Sequence, residues 1–106
     1  STVLETKELK KFIEHREIKA EDLALLEALT RFSSDLIREF HNFFNLLKDR
    51  SLAELENQLK NINDGQEERQ QFLSLLIEFA KKYDWIVAYN LIRVLEKIAR
   101  PENKIN

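Results

Sequence analysis

The chain has 106 residues, of which 43% are hydrophobic and 34% are charged, a balance that suits one domain with a substantial apolar core. It contains no cysteine, which excludes disulfides, thiolate metal sites and cysteine nucleophiles. Its net charge of −2 disfavours a dedicated nucleic-acid binder, because phosphate neutralisation supplies much of the affinity of such proteins.

We expect a single domain over residues 1–106, soluble and cytoplasmic, with a polar tail from about residue 101. The first ten residues are polar and charged, unlike a signal peptide. No apolar run approaches the roughly 20 residues that span a bilayer. The chain begins at Ser1 and lacks methionine, so we expect that its initiator was removed or that it is part of a longer protein.

The near absence of glycine and proline indicates the fold class. Gly65 and Pro101 are the sole examples, and turns between strands usually draw on these two residue types. Apolar residues instead recur every three to four positions, which is typical of amphipathic helices. The sequence therefore predicts an all-α protein, a small antiparallel helical bundle of about four helices, or five or six if the long ones are broken.

The first predicted helix begins near Val3, because Thr2 and Glu5 have the spacing of a capping box. An apolar stripe at helical spacing follows. No strong stop signal comes after it, and we expect the helix to end between His15 and Glu17.

The most regular segment is predicted to form one long helix over residues 21–48. Its apolar seam follows an alternating spacing of three and four residues. The seam comprises Leu26, Leu29, Ser33, Leu36, Phe40, Phe43 and Leu47. Ser33, Ser34 and Asp35 form a good N-cap string that would instead start a new helix. We favour a continuous helix, because the heptad phase is kept across that string.

Two further helices are predicted in the second half of the chain. Ser51 and Glu54 repeat the capping-box spacing, so a short third helix begins there. The following loop contains Gly65, which suits a left-handed cap. Residues 66–99 keep helical phase throughout. One helix over that range and two helices divided at Asp84 fit the sequence equally well.

The stretch from Trp85 to Leu95 is apolar on nearly every face, which suggests a surface covered by another chain. The predicted partner interface consists of Trp85, Tyr89, Ile92 and Arg93. Aromatic residues and arginine concentrate binding energy at interfaces. Burial of Trp85 in the core of its own chain is the alternative interpretation.

A basic C-terminal segment supports a second hypothesis, contact with nucleic acid. Residues 51–80 hold two basic and six acidic side chains, whereas residues 81–106 hold six basic and three acidic ones. The candidate contacts are Lys81, Lys82, Arg93, Lys97 and Arg100, with Lys104 beyond them. The competing interpretation is ordinary charge compensation at the carboxyl end of a helix.

Chemistry-bearing residues are sparse. Neither His15 nor His41 has a glutamate three residues before it, so the di-iron bundle pattern fails. Two pairs of acids share a helix face at i,i+4 spacing, and solvated charge explains them better than a metal site. These pairs are Glu17 with Glu21 and Asp35 with Glu39. The sequence predicts no metal, no cofactor and no enzymatic activity.

The sequence therefore predicts a non-enzymatic protein–protein interaction module, or a small helical subunit of a larger assembly. Its expected partner is another protein or a second copy of itself, and in the second case the protein would be a homo-oligomer. The alternative is a nucleic-acid-associated regulator that uses the basic C-terminal helix. Membrane binding is not expected, because the helix faces carry both signs of charge.

Overall fold

The computed structural model describes residues 6–46, 51–63 and 65–99. Within those ranges it contains six α-helices, a short 3-10 helix at Ala20–Asp22 and no strand, which confirms the predicted all-α class. The α-helices are α1 (Lys7–His15), α2 (Leu23–Leu29), α3 (Ser34–Leu46), α4 (Leu52–Lys60), α5 (Glu67–Tyr83) and α6 (Trp85–Ile98). None of these helices combines the length and the apolar character needed to cross a membrane.

Helices α5 and α6 lie at the centre of the bundle. Helix α6 packs on α1, α3 and α5, and α5 also packs on α2 and α4. Full burial of a leucine, isoleucine or phenylalanine side chain contributes about 1.5–3 kcal/mol, so this shared core dominates stability. The side chains with no exposed surface include Leu9, Leu26, Leu29, Ile37, Leu55, Phe72, Leu73, Leu76, Phe79, Ala88, Leu91, Ile92 and Leu95.

Helices α3 and α6 run antiparallel, as their side-chain pairs show. Near the end of α3, Asn45 accepts a hydrogen bond from the Tyr89 hydroxyl in the first half of α6 (2.9 Å). Earlier in α3, His41 Nδ1 lies 2.5 Å from Glu96 Oε1 near the end of α6. Later residues of one helix thus meet earlier residues of the other, as expected for an antiparallel bundle.

The predicted continuous helix over residues 21–48 is wrong, because the chain turns between α2 and α3. The Thr30 hydroxyl donates to the Glu27 carbonyl (2.6 Å), and the Ser33 hydroxyl accepts from the Leu36 amide (3.2 Å). These side-chain bonds replace main-chain helix bonds. The turn brings Phe32 edge-on against Phe72, with ring centroids 5.0 Å apart. Heptad phase survives the turn, which is why periodicity alone missed it.

Residues 66–99 form two helices, which settles the alternatives left open by the sequence. Helices α5 and α6 are joined by one residue, Asp84, with φ 87° and ψ 175°. The Asp84 side chain caps α6 by accepting a hydrogen bond from the Val87 amide (3.2 Å). A short polar side chain that caps the next helix is what favours a break here.

Other predicted boundaries agree with the structure in part. Helix α1 begins at Lys7 with Thr6 as its N-cap, so the predicted start near Val3 is wrong. The Ser51 hydroxyl accepts from the Glu54 amide (3.3 Å) and caps α4. Gly65 has the positive φ expected of it (+90°), but the residue that caps the end of α4 is Asn61 and not Gly65. Helix α1 ends at His15, within the predicted range. The predicted cap at Thr2 and Glu5 and the tail from about residue 101 lie outside the described residues.

Candidate functional site

The four predicted interface residues on α6 point in different directions. Trp85 is half-buried and stacks on Phe44 of α3, with ring centroids 4.5 Å apart. Tyr89 is half-buried against the same helix, where it also lies beside His41. Ile92 has no exposed surface and belongs to the core. Arg93 is exposed on another face of α6. The structure therefore does not bring these residues together as one exposed patch.

Large apolar side chains with high exposure are few among the described residues. Ile86 near the start of α6 is 50% exposed, and Leu46 at the end of α3 is 76% exposed. Leu46 borders an apolar concavity of about 250 Å³ between α3, α4 and α5. The Arg69 guanidinium and the Glu39 carboxylate form a two-bond ion pair at its rim (2.6 and 3.0 Å). The apolar surface predicted around Trp85 is thus mostly covered within the chain.

The basic residues predicted as nucleic-acid contacts also separate. Lys81 lies 3.0 Å from a Glu56 carboxylate oxygen, and Lys82 lies 2.7 Å from an Asp22 carboxylate oxygen. Those two cations therefore bind helices of their own chain. Arg93 and Lys97 remain together on α6, where they line a groove against α1. Arg100 and Lys104 lie outside the described residues.

The groove between α1 and α6, which we call the basic groove, concentrates positive charge. It has a volume of about 260 Å³, and Phe12 and Val94 contribute apolar surface to it. Its polar lining consists of Glu8, Lys11, His15 and Arg16 from α1 and the residue that follows it, with Asn90, Arg93 and Lys97 from α6. If the histidine is left out of the count, four permanent cations thus face a single acid. Charges of one sign that line a concave surface attract a ligand of opposite charge.

The four basic groove cations are exposed. Within residues 6–46, 51–63 and 65–99, no ion pair involves Lys11, Arg16, Arg93 or Lys97. By contrast, Arg31, Arg38, Arg69, Lys81 and Lys82 each contact a carboxylate. The groove therefore holds cations whose hydrogen-bonding groups are open to an external acid.

A separate polar cluster joins the 3-10 helix to the end of α5. Asp22 is 3% exposed, and it accepts hydrogen bonds from Lys82 and from the Tyr83 hydroxyl. These bonds hold the pKa of Asp22 below its ordinary value. Hydrogen bonding to Asp22 raises the pKa of Lys82, and burial together with Asp22 raises the pKa of Tyr83. Because the charges of this cluster are paired with one another, its role is structural, and it holds the 3-10 helix against the end of α5.

His41 and the acids of one predicted pair contact charged side chains of their own chain. His41 contacts Glu96, which also lies 3.5 Å from the Arg38 guanidinium. His15 lies in the basic groove. Of the acids predicted to share helix faces, Asp35 pairs with Arg38 and Glu39 pairs with Arg69. In the described part of the chain, no three histidine, aspartate or glutamate side chains gather closely enough to hold a metal ion.

Sequence reasoning identified half of the basic groove and missed the other half. The i,i+4 spacing of Arg93 and Lys97 was visible on α6. Lys11 and His15 have the same spacing on α1, but nothing in the sequence connects them with α6. A pair of basic residues at the same spacing on each of two helices is a usable signal. Only the packing of α1 on α6 shows that the two pairs line one groove.

Comparison of the chain with protein-family models, with curated proteins and with solved structures finds no match.

Proposed function

We propose that this protein is a non-enzymatic interaction module whose basic groove binds a short acidic segment of a partner protein. The single observation that carries the proposal is the set of cations that line one groove between α1 and α6 and form no ion pair within the described residues. Phe12 and Val94 supply apolar surface between them. An acidic segment with one apolar side chain complements this arrangement, since charge orients the segment and the apolar contact adds affinity.

The dimensions of the basic groove favour a peptide over a nucleic acid. Its α1 side spans residues 8–16, which is about 12 Å at 1.5 Å per residue. That length matches a few residues of an extended segment. Of the other cations predicted to contact nucleic acid, Lys81 and Lys82 form ion pairs with Glu56 and Asp22. The net charge of −2 also opposes the approach of a long polyanion.

Fluorescence anisotropy with a labelled peptide of alternating glutamate and leucine tests this function. The double substitution Arg93→Glu and Lys97→Glu should weaken binding by about tenfold or more, which corresponds to at least 1.4 kcal/mol. The matched control is Lys10→Glu with Lys60→Glu, because both lysines are exposed and lie outside the groove lining. The control changes net charge equally and should retain most of the affinity.

Two results would contradict the proposed function. Equal weakening by both double variants would mean that overall charge, and not the groove, controls binding. Tighter binding of single-stranded DNA than of the acidic peptide, with a steep loss on adding salt, would favour the nucleic-acid alternative. A peptide with glutamine in place of glutamate should bind poorly, because it cannot form charge-assisted hydrogen bonds with the groove.

A further inference from the structure

The junction between α5 and α6 is a single strained residue. Asp84 has φ 87° and ψ 175°, a backbone region that is essentially restricted to glycine. Its amide donates to the Ala80 carbonyl (2.8 Å), and its carbonyl accepts from the Ala88 amide (3.1 Å). Asp84 therefore ends α5 and begins α6. The break between the two helices requires its unfavourable backbone conformation.

Nothing else in the sequence requires a break at this point. The range Glu67–Ile98 contains neither glycine nor proline, and its apolar residues keep helical phase across Asp84. In one continuous helix, free carbonyls at the end of α5 would pair with free amides at the start of α6. Straightening would also let Asp84 return to an ordinary helical conformation.

A straight helix does not fit within one copy of this bundle. Residues 67–98 would extend about 48 Å at 1.5 Å per residue, whereas the fold extends 38 Å along its longest principal axis. Straightening would therefore withdraw α6 from α1 and α3. The buried residues Ala88, Leu91, Ile92 and Leu95 would lose their core contacts unless a second chain supplied them.

We propose that the chain forms a dimer by exchanging α6 between two copies, with Asp84 as the hinge. Each α6 occupies the site between α1 and α3 of the other copy, so every core contact of α6 is recovered. A strained hinge of minimal length promotes such exchange. The helix that fills the site between α1 and α3 must come from a second copy of this chain, because only an identical helix reproduces the same contacts. The inference does not depend on acidic-peptide binding.

A matched pair of substitutions at the hinge tests the exchange. Asp84→Ala and Asp84→Gly both remove the cap, but glycine adopts positive φ freely and alanine favours a helix. After refolding at high protein concentration, light scattering on a sizing column should show most dimer for Asp84→Ala. The wild type should be intermediate, and Asp84→Gly should be mainly monomer. If the Asp84→Ala variant fails to fold, the dimer fraction of the wild type is compared with that of Asp84→Gly. A larger fraction for the wild type is then the expected result.

A distance measurement separates exchange from side-by-side association. The chain has no cysteine, so Gln71→Cys with Lys97→Cys accepts two spin labels, and both positions are exposed. In dimers of one labelled chain with one unlabelled chain, a straight helix separates the two positions by about 39 Å. A bent monomer-like chain gives a shorter distance. A short distance in the dimer, or equal dimer fractions for the alanine and glycine variants, would overturn the proposal.

Discussion

At the scale of single residues, Asp22 is the clearest case of a buried charge that needs its partners. Lys82 and Tyr83 compensate the loss of its hydration, and the Tyr83 hydroxyl in turn accepts from the Lys19 amide (3.0 Å). A buried carboxylate is tolerated when such hydrogen bonds satisfy it. The cluster therefore fixes the chain before α2 to the end of α5.

Replacing Asp22 with asparagine should lower the melting temperature by several degrees. The variant keeps the shape of the side chain but leaves Lys82 without its ion pair and weakens the bond from Tyr83. Thermal unfolding followed by circular dichroism measures the effect. The control is Asp35→Asn, because Asp35 is exposed and its contact with Arg38 is 3.7 Å. Exposed ion pairs contribute little, so equal losses in both variants would contradict the assigned role.

Asp22 should also make the stability of the protein depend on pH. The folded pKa of Asp22 is lowered, so its contribution is fully present above the ordinary aspartate pKa and is lost as pH falls through the lowered one. The free energy of unfolding should therefore fall more steeply with acid in the wild type than in Asp22→Asn. Denaturant titrations from neutral pH down to about pH 3 measure this difference. Parallel curves for the two proteins would contradict it.

At the scale of helices, side-chain caps decide where the chain turns. Ser33 caps α3, and replacing it with alanine should cost about 1 kcal/mol of unfolding free energy, measured by denaturant titration. Ser74 is the matched control, because it is an exposed serine inside α5. Ser74→Ala should be neutral or slightly stabilising, since alanine has the higher helix propensity. A loss at Ser74 equal to that at Ser33 would contradict the capping role.

The helices were predictable because their signals are local. Capping at Ser51 and the left-handed Gly65 could be inferred from the neighbouring residues alone. The turn before α3 could not be chosen over a continuous helix. Its cap string was visible, but the packing of Phe32 on Phe72, which also favours the turn, joins residues far apart in the sequence. Asp84 is similar, because its cap favours a break while the apolar phase favours continuity.

The candidate site was less predictable than the fold, because it depends on which helices become neighbours. Trp85 and Ile92 were assigned to an interface from composition. Packing on α3 covers Trp85, and the core encloses Ile92. Arg93 stays exposed, and its groove partners Lys11 and Arg16 come from the other end of the chain. Contacts between residues so far apart in sequence leave no local pattern.

At the scale of the whole molecule, several cations form internal ion pairs, whereas four others line the basic groove. Most described arginine and lysine contacts join neighbouring elements, as Arg69 joins α5 to α3 through Glu39. The basic groove cations have no such role within the described residues. Helix α6 also supplies core contacts to α1 and α3. Exchange of α6 would therefore build the same groove from two chains.

Amide NMR spectra recorded during titration with the glutamate–leucine peptide test the proposed groove most directly. We predict saturable shifts that are largest for residues 8–16 and 90–97, and that disappear when Arg93 and Lys97 are replaced by glutamate. The largest shifts around the apolar concavity between α3, α4 and α5, or shifts that never saturate, would contradict binding at the basic groove.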